Sequence, residues 1–343
     1  MARARRRPAL ALAALALALA LGQCAPAASS DAAAAAPAPA VRVPAAVIAT
    51  GVAMPVVSLG TGGGDVGNRS VVRGAVRDWL LVAGGRGIDT AADYDNEDLV
   101  GDALADAAAA GVQREEIFLT TKQPGPLGYD ATLASLEASL GRLRTTWVDL
   151  FLVHFPDPAN ATTPAEARQL RQDTWRAMEH LRASGKARAV GVSNFEVTHL
   201  KDVLDVATVV PAVNQVLFNP VKADMELLAF CDRWGITLEA WSPLGGHDSR
   251  HGEVLDLPLM RRVAAAHGVS TAQVALRWAL QHGIVLTAGT TNPAHMSTNL
   301  DLWDFRLTDD EVAAISALTP PRGRSAAGAL LRGGAGLGLG AHV

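Results

Sequence analysis

The sequence Gly87-Ile88-Asp89-Thr90-Ala91-Ala92-Asp93-Tyr94-Asp95-Asn96-Glu97 joins a short apolar strand to the start of a helix. The strand ends in the carboxylate of Asp89, and Tyr94 follows just beyond it. Two later strand-like stretches are each followed directly by an ionisable side chain: Lys122 follows the first, and His154 follows the second. Three consecutive predicted strands therefore end in Asp, Lys and His. In a parallel β/α barrel the C-terminal strand ends carry the chemistry, so we expect these four side chains to share one cleft.

Short apolar strands alternate with helical stretches over residues 47–320. Helices are predicted near Ser70–Ala83, Glu97–Ala110, Asp130–Leu143, Pro164–Ser184, Glu196–Ala207, Asp224–Trp234, Thr271–Gln281 and Leu307–Leu318. The later strands are predicted near Ala187–Val192, Val213–Gln215, Thr237–Trp241 and Ile284–Thr287. This alternation predicts an α/β fold with a parallel sheet, and eight repeats close the sheet into a (β/α)8 TIM barrel. A β-hairpin that turns near Thr50-Gly51 is predicted to precede the barrel.

The composition of the 343-residue chain limits its partners. A formal net charge of -4 provides no basic field for nucleic acid, so we expect no nucleic-acid partner. The cysteines are Cys24 and Cys231. Two cysteines cannot form a cysteine-rich metal site, and we expect no metal. We expect a monomer.

Both ends of the sequence differ in composition from the predicted barrel. Residues 1–28 combine arginines, the Ala/Leu run Ala9–Leu21 and the small residues Ala25–Ala27, a pattern typical of a signal peptide for secretion or export. Organelle targeting and an uncleaved anchor are the alternatives. The apolar run is too short to predict an integral membrane domain. Residues 29–46 are predicted to be an Ala/Pro-rich linker, and residues 321–343 a flexible Gly/Ala-rich tail.

Several separate motifs are shared with one known family. Gly87–Glu97 is similar to its first signature, and Leu136–Pro156, which reads LEASLGRLRTTWVDLFLVHFP, is similar to its second. Gly191–Phe195, Asn214–Val216 and Trp241–Gly245 follow in the expected order. On these residues the sequence resembles the aldo-keto reductases over nearly the whole predicted barrel.

The resemblance implies a role for each strand-end side chain. Tyr94 matches the proton donor, Lys122 and Asp89 its supporting pair, and His154 the residue that orients the carbonyl group. A phenol has a pKa of about 10, and a neighbouring ammonium is expected to lower it. Asp89 would keep Lys122 charged, while His154 would donate a hydrogen bond to the reacting oxygen. The implied reaction is the NAD(P)H-dependent reduction of an aldehyde or ketone, with Tyr94 as proton donor.

The resemblance also implies a nicotinamide cofactor, NADP(H), with NAD(H) use possible. Ser193, Asn194 and Gln215 match positions that hold the carboxamide, and Trp241 one that stacks on the ring. The complete set of implied cofactor positions is Gly60, Thr61, Asp89, Ser193, Asn194, Gln215, Trp241, Ser242, Leu244, Thr290, His295 and Asn299.

Two departures from the family affect recognition. Ala288-Gly289-Thr290 replaces a Pro-Lys-Ser run, and His295 replaces an arginine, so two cations for the adenosine 2′-phosphate are missing. We therefore expect only a modest preference for NADPH over NADH. The loop Gly60-Thr61-Gly62-Gly63-Gly64 lacks the tryptophan often found there, which predicts an open pocket for a small-molecule carbonyl substrate.

Two other functions fit parts of this pattern. Lys122 at a strand end is also suited to a Schiff-base aldolase, although a paired Asp89 would keep the amine protonated and unreactive. A non-enzymatic nicotinamide-binding regulatory barrel is the other alternative, and the complete set of Tyr94, Lys122, Asp89 and His154 argues against it.

Overall fold

The computed structural model describes residue 40 and residues 43–246 and 254–320. Eight parallel strands form a closed barrel in the order β10-β3-β4-β5-β6-β7-β8-β9, preceded by an antiparallel hairpin of β1 and β2. The strands are β1 Ala45–Ala49, β2 Val52–Pro55, β3 Val57–Gly60, β4 Gly87–Asp89, β5 Phe118–Gln123, β6 Val148–Val153, β7 Ala187–Ser193, β8 Val213–Leu217, β9 Thr237–Trp241 and β10 Val285–Ala288. The predicted (β/α)8 barrel and its hairpin are confirmed.

Helices connect the strands around the outside of the barrel. They are α1 Arg69–Leu81, α2 Glu97–Ala109, α3 Tyr129–Leu143, α4 Pro164–Ala183, α5 Val197–Leu204, α6 Met225–Trp234, α7 Pro258–His267, α8 Thr271–Gln281, α9 Pro293–Leu300 and α10 Asp309–Ser316. The last is capped as expected, because the Thr308 side chain accepts from the Glu311 N–H. The sequence did not predict α7 and α9. Both are short, of 10 and 8 residues, and each begins with a proline at its first turn.

Alternating side chains on each strand separate two apolar regions. On β5, Leu119 packs with the helices, whereas its neighbour Phe118 faces the barrel interior. Phe118 packs there with Ile48, Val52 and Met54 of the hairpin. The hairpin therefore closes the N-terminal end of the barrel with apolar side chains. Because strand alternation places Lys122 on the same side as Phe118, the interior becomes polar towards the other end.

Some predicted segments lie outside the described residues. These are the signal-like residues 1–28, the tail 321–343 and all of the linker 29–46 except residues 40 and 43–46. Strand β1 includes Ala45 and Ala46, so regular structure begins two residues before the predicted start of the barrel domain. Within the part of the chain that the structure describes, no helix is long and apolar enough to cross a membrane.

Candidate active site

The end of β5 delivers a lysine into the centre of the barrel. Lys122 is fully buried, and its Nζ donates to Asp89 Oδ1 at 2.6 Å and to the Thr90 carbonyl at 3.1 Å. The same Nζ lies 3.3 Å from the hydroxyl oxygen of Tyr94, which a short 3-10 turn after β4 carries over the strand end. The structure thus brings the predicted carboxylate, ammonium and phenol into one chain of hydrogen bonds.

Burial and charge act in opposite directions on this group. Burial is the largest single effect and would lower the pKa of Lys122, but the charge of Asp89, its hydrogen bond to Lys122 and the charge of a Tyr94 phenolate together raise the pKa above its ordinary value. Lys122 is therefore an ammonium at neutral pH. For Tyr94, burial raises the pKa of the phenol, and the Lys122 charge opposes that rise without cancelling it. Our expectation of a lowered Tyr94 pKa was wrong in its net direction, because removal from water is the larger effect.

His154 follows β6 and lies beside the phenol. Its ring meets that of Tyr94 edge-on, with centroids 5.5 Å apart, and stacks on Phe155 at 4.4 Å. Its Nδ1 lies 3.0 Å from Oδ2 of Asp93, a residue that we did not predict in the site. Burial, helped by the charge of Lys122, lowers the pKa of His154 to about 3. The imidazole is therefore neutral at physiological pH.

A second carboxyl group lies beneath the predicted carboxamide position. The side-chain nitrogen of Gln215 donates to Asp89 Oδ2 and to Glu239 Oε2, at 2.8 Å each. Both Nε2 hydrogens are used in this way, so the Gln215 oxygen is left to accept hydrogen bonds. Glu239 is fully buried, and burial together with the charge of Asp89 raises its pKa to about 8. Glu239 is thus mainly protonated at neutral pH.

Two residues after the strand ends adopt a left-handed backbone. Asn194 follows β7 with φ +61°, and Ser242 follows β9 with φ +49°. Such backbones concentrate at functional sites, where surrounding contacts hold them. For Asn194 those contacts are a 3.0 Å hydrogen bond from the indole of Trp241 and a 2.9 Å bond to the His154 carbonyl. The indole is therefore fixed at the wall of the cleft.

These side chains surround a cleft of about 350 Å³ at the C-terminal end of the barrel. Of the predicted site residues, nine line it: Gly60, Asp89, Tyr94, His154, Asn194, Gln215, Trp241, Ser242 and Leu244. Lys122 and Ser193 are buried behind this lining, with the Ser193 hydroxyl donating to the Gln215 carbonyl at 2.8 Å. Thr61 is also buried, 3.5 Å from the Asn96 side chain. Thr290, His295 and Asn299 lie outside the lining, on the segment that follows β10.

The glycine-rich loop after β3 approaches Tyr94 closely. A Cβ placed on Gly62 would lie 2.3 Å from Cζ of Tyr94, closer than any side chain can lie. The loop backbone itself therefore covers the phenol ring, and Gly63 and Gly64 beside it line the cleft. This contact gives a steric reason why no larger residue occupies position 62.

Sequence reasoning missed several residues of the site, among them Asp93, Phe155 and Glu239. Glu239 had a signal, because it precedes Trp241 by two positions in a short, mainly apolar strand and therefore faces the same way. Phe155 directly follows His154. Asp93 lies on an irregular turn, where no periodicity shows which way a side chain points.

Comparison with known proteins agrees with this geometry. Residues 57–320 match the model of the aldo/keto reductase family. The chain is 41% identical over 271 residues to the glyoxal reductase of Bacillus subtilis strain 168, covering 78% of this chain and 90% of that protein. It is 38% identical over 268 residues to the 9,11-endoperoxide prostaglandin H2 reductase of Trypanosoma cruzi strain CL Brener, covering 78% and 88%.

Solved structures give the same result. A Bombyx mori aldo-keto reductase in complex with NADP superposes with a TM-score of 0.73 at 34% identity, covering 82% of this chain and 94% of the other. An aldo/keto reductase from Brucella melitensis superposes with a TM-score of 0.72 at 34% identity, covering 80% and 99%. The chain therefore belongs to the aldo/keto reductase family and is an NAD(P)H-dependent oxidoreductase of carbonyl compounds.

Proposed function

We propose that this protein reduces a small aldehyde or ketone to the alcohol with NADPH, and that Tyr94 donates the proton. The observation that carries the proposal is the hydrogen bond between the Tyr94 hydroxyl and the buried Lys122 ammonium, at the wall of an open cleft. Tyr94 supplies the proton, and the neighbouring Lys122 ammonium compensates the negative charge of the phenolate that is left.

The cleft has suitable groups for a nicotinamide cofactor. With its nitrogen held by two carboxyl groups, Gln215 presents an oxygen that can accept from the carboxamide of the nicotinamide. Trp241 offers an aromatic face, and Gly60 and Gly289 line the same cleft. A Cβ on Gly289 would lie 3.2 Å from the Gly60 carbonyl oxygen, so the backbones approach closely here. NADP in the Bombyx mori relative supports the same cofactor for this chain.

The proton passes directly from Tyr94 to the substrate, and the hydrogen-bonded Lys122 and Asp89 stabilise the charge that remains. The reduced nicotinamide supplies a hydride to the carbonyl carbon when it is bound. Tyr94 gives its proton to the carbonyl oxygen as negative charge develops there. Lys122 stabilises the phenolate that remains, and Asp89 keeps Lys122 charged and in position throughout. The raised pKa of Tyr94 keeps the phenol protonated before the reaction, as a proton donor must be.

The geometry argues against the aldolase alternative. A Schiff base requires a neutral amine, and the contact with Asp89 raises the pKa of Lys122. The lysine is also fully buried, behind the residues that line the cleft. A carbonyl carbon would have to pass Tyr94 to reach it.

The lining and one relative favour a small substrate. The Bacillus subtilis protein is a glyoxal reductase, which supports small aldehydes or ketones as substrates here. Phe155 is 47% exposed and lines the cleft beside His154, so it offers an apolar contact next to the reacting group. We propose that the carbonyl group points at Tyr94 and that the remainder of the substrate lies against Phe155.

Cofactor choice depends on the segment after β10. Gly289 and Thr290 occupy the positions where a lysine and a serine are expected, and His295 is exposed on α9. We propose that NADPH is preferred modestly and that NADH is also used, because charged contacts to the 2′-phosphate are worth about 1.5–3 kcal/mol each and two are missing.

The test uses the two tyrosines of the chain, Tyr94 and Tyr129. We expect Tyr94→Phe to reduce kcat for a simple aldehyde by roughly 10²–10⁴-fold, with NADPH affinity nearly unchanged, since general acid catalysis contributes about that much. Tyr129→Phe, on the surface at the start of α3, is the matched control and should retain full activity. NADPH oxidation followed by absorbance gives kcat, and quenching of tryptophan fluorescence gives the affinity. A Tyr94→Phe rate within threefold of wild type would remove Tyr94 from this role.

A further inference from the structure

Behind the cleft, the side chain of Gln215 lies between two buried carboxyl groups. Its Nε2 donates to Asp89 Oδ2 and to Glu239 Oε2 at 2.8 Å each, so both carboxyl groups share one nitrogen. The buried ammonium of Lys122 makes its 2.6 Å contact with Asp89. If Glu239 were ionised as well as Asp89, this part of the interior would hold more negative than positive charge, which burial disfavours.

The groups around Glu239 favour its neutral form. Among the described residues, the charged and titratable groups that face this carboxyl are Asp89 from β4, Lys122 from β5 and Tyr94 from the turn after β4. The adjoining strands place Gln215 and a valine beside it, and neither side chain titrates. Glu239 Oε1 has no hydrogen-bond partner in the part of the chain that the structure describes. Burial and the charge of Asp89 raise the pKa of Glu239 to about 8.

A positive charge bound in the cleft would change this balance. Gln215 lines the cleft, and Glu239 lies behind it, joined to it by one hydrogen bond. In the proposed function the Gln215 oxygen accepts from the nicotinamide carboxamide, so the cofactor binds on the other side of the same amide. The nicotinamide ring is neutral when reduced and positively charged when oxidised. A positive charge at this distance favours the carboxylate, because charges in a buried site are weakly screened.

We propose that Glu239 couples the oxidation state of the bound cofactor to a proton: the carboxyl stays neutral beside NADPH and loses its proton to solvent when NADP⁺ binds. This inference rests on the proposed nicotinamide cofactor. Only the O–H bond of the carboxyl breaks, no electron moves, and the proton returns when NADP⁺ leaves. Because NADP⁺ binding releases a proton and NADPH binding does not, the affinity for NADP⁺ relative to NADPH increases as pH rises.

The ratio of the two dissociation constants tests this coupling without turnover. Quenching of tryptophan fluorescence gives the Kd of NADP⁺ and of NADPH at intervals from pH 6 to pH 9. Both cofactors carry the same 2′-phosphate, so its titration cancels in the ratio. We expect the affinity for NADP⁺ relative to NADPH to rise about tenfold over this range in the wild type, as for a pKa lowered by about one unit. In Glu239→Gln, which cannot ionise, the ratio should stay constant.

Proton release provides a second measurement. Calorimetric titrations at pH 8, in two buffers with different ionisation enthalpies, give the number of protons released for each cofactor bound. We expect the wild type to release roughly 0.4 protons more with NADP⁺ than with NADPH, and Glu239→Gln to release equal numbers with both. A purely structural role for Glu239 would change both dissociation constants in the variant but would not remove a difference in proton release.

The outcomes separate this inference from the proposed function. Glu115→Gln, on the surface, is the matched control and should keep the wild-type pH dependence. A ratio that is constant with pH in the wild type would overturn the inference, even if Glu239→Gln does not fold, and so would an equal pH dependence in Glu239→Gln. If neither nucleotide binds, the proposed cofactor fails and the inference with it. If both bind with a constant ratio, the inference alone fails.

Discussion

The buried carboxyl of Glu239 makes the stability of the barrel depend on pH. Its ordinary pKa of 4.5 is raised to about 8 in the folded protein, because burial and Asp89 disfavour the charge. A group with a raised folded pKa contributes its full stability below the unfolded value, here about 4.5. That contribution is lost as pH rises towards about 8, since the unfolded chain ionises first.

The size of the effect follows from these two values. The interval between 4.5 and about 8 corresponds to about 5 kcal/mol, at 1.36 kcal/mol for each pH unit. Water entry and movement of neighbouring groups reduce such values, so we expect roughly 2–5 kcal/mol. For a domain of this size, that is a difference in Tm of roughly 5–15 °C.

The perturbation that isolates this effect is Glu239→Gln. The glutamine oxygen can accept from the Gln215 nitrogen as Glu239 Oε2 does, and the side chain cannot ionise. We expect similar Tm values for the two proteins at pH 5, and a variant that is progressively more stable than the wild type as pH rises to 9. Circular dichroism melts at intervals of pH measure this difference, and the titrating groups that do not interact with Glu239 cancel between the proteins.

A surface glutamate provides the control. Glu115 is exposed, and Glu115→Gln measures how much the replacement of a surface glutamate by glutamine changes Tm on its own. A Tm difference between Glu239→Gln and wild type that stays constant from pH 5 to pH 9 would show that Glu239 does not carry a proton in the folded protein at neutral pH.

Three further predictions concern activity. Lys122→Met should slow reduction and move its pH profile to higher pH, because the ammonium lowers the Tyr94 pKa; a slow variant with an unmoved profile would contradict this. Gly62→Ala should lower kcat at least about tenfold, because the added methyl group displaces the Tyr94 ring. Gly74→Ala is the control: its methyl group has open space, so kcat should stay unchanged, and an equal kcat for the two variants would contradict the prediction. The kcat/KM preference for NADPH over NADH should be modest, because two cations for the 2′-phosphate are missing, and His295→Ala should lower it further; a large preference that survives in the variant would refute this.

The sequence predicted the barrel and the centre of the site for one physical reason. Strands that alternate with helices lie parallel, and parallel strands in a barrel end at the same face, so Asp89, Lys122 and His154 had to meet there. Tyr94 could be included because only four residues separate it from Asp89, which limits how far it can lie from the strand end.

What the sequence could not supply was the balance of opposing effects and the direction of side chains on turns. The direction of the Tyr94 pKa depends on how far burial exceeds the charge of Lys122, and burial is known only from the fold. Asp93 follows no strand or helix period, and its contact with His154 depends on the path of one 3-10 turn. Helix α9 was missed because eight residues are too few to establish a helical period.

The hairpin at the base of the barrel has a practical consequence for experiments on surfaces. Strands β1 and β2 cover the end of the barrel opposite the cleft, and β2 leads directly into the first barrel strand, β3. The polypeptide therefore enters the barrel at the covered end. A linker attached upstream of Ala45 would reach the barrel from that side. Protein immobilised on an electrode or bead through such a linker should leave the cleft open to solution, so that turnover per molecule equals that of the free enzyme.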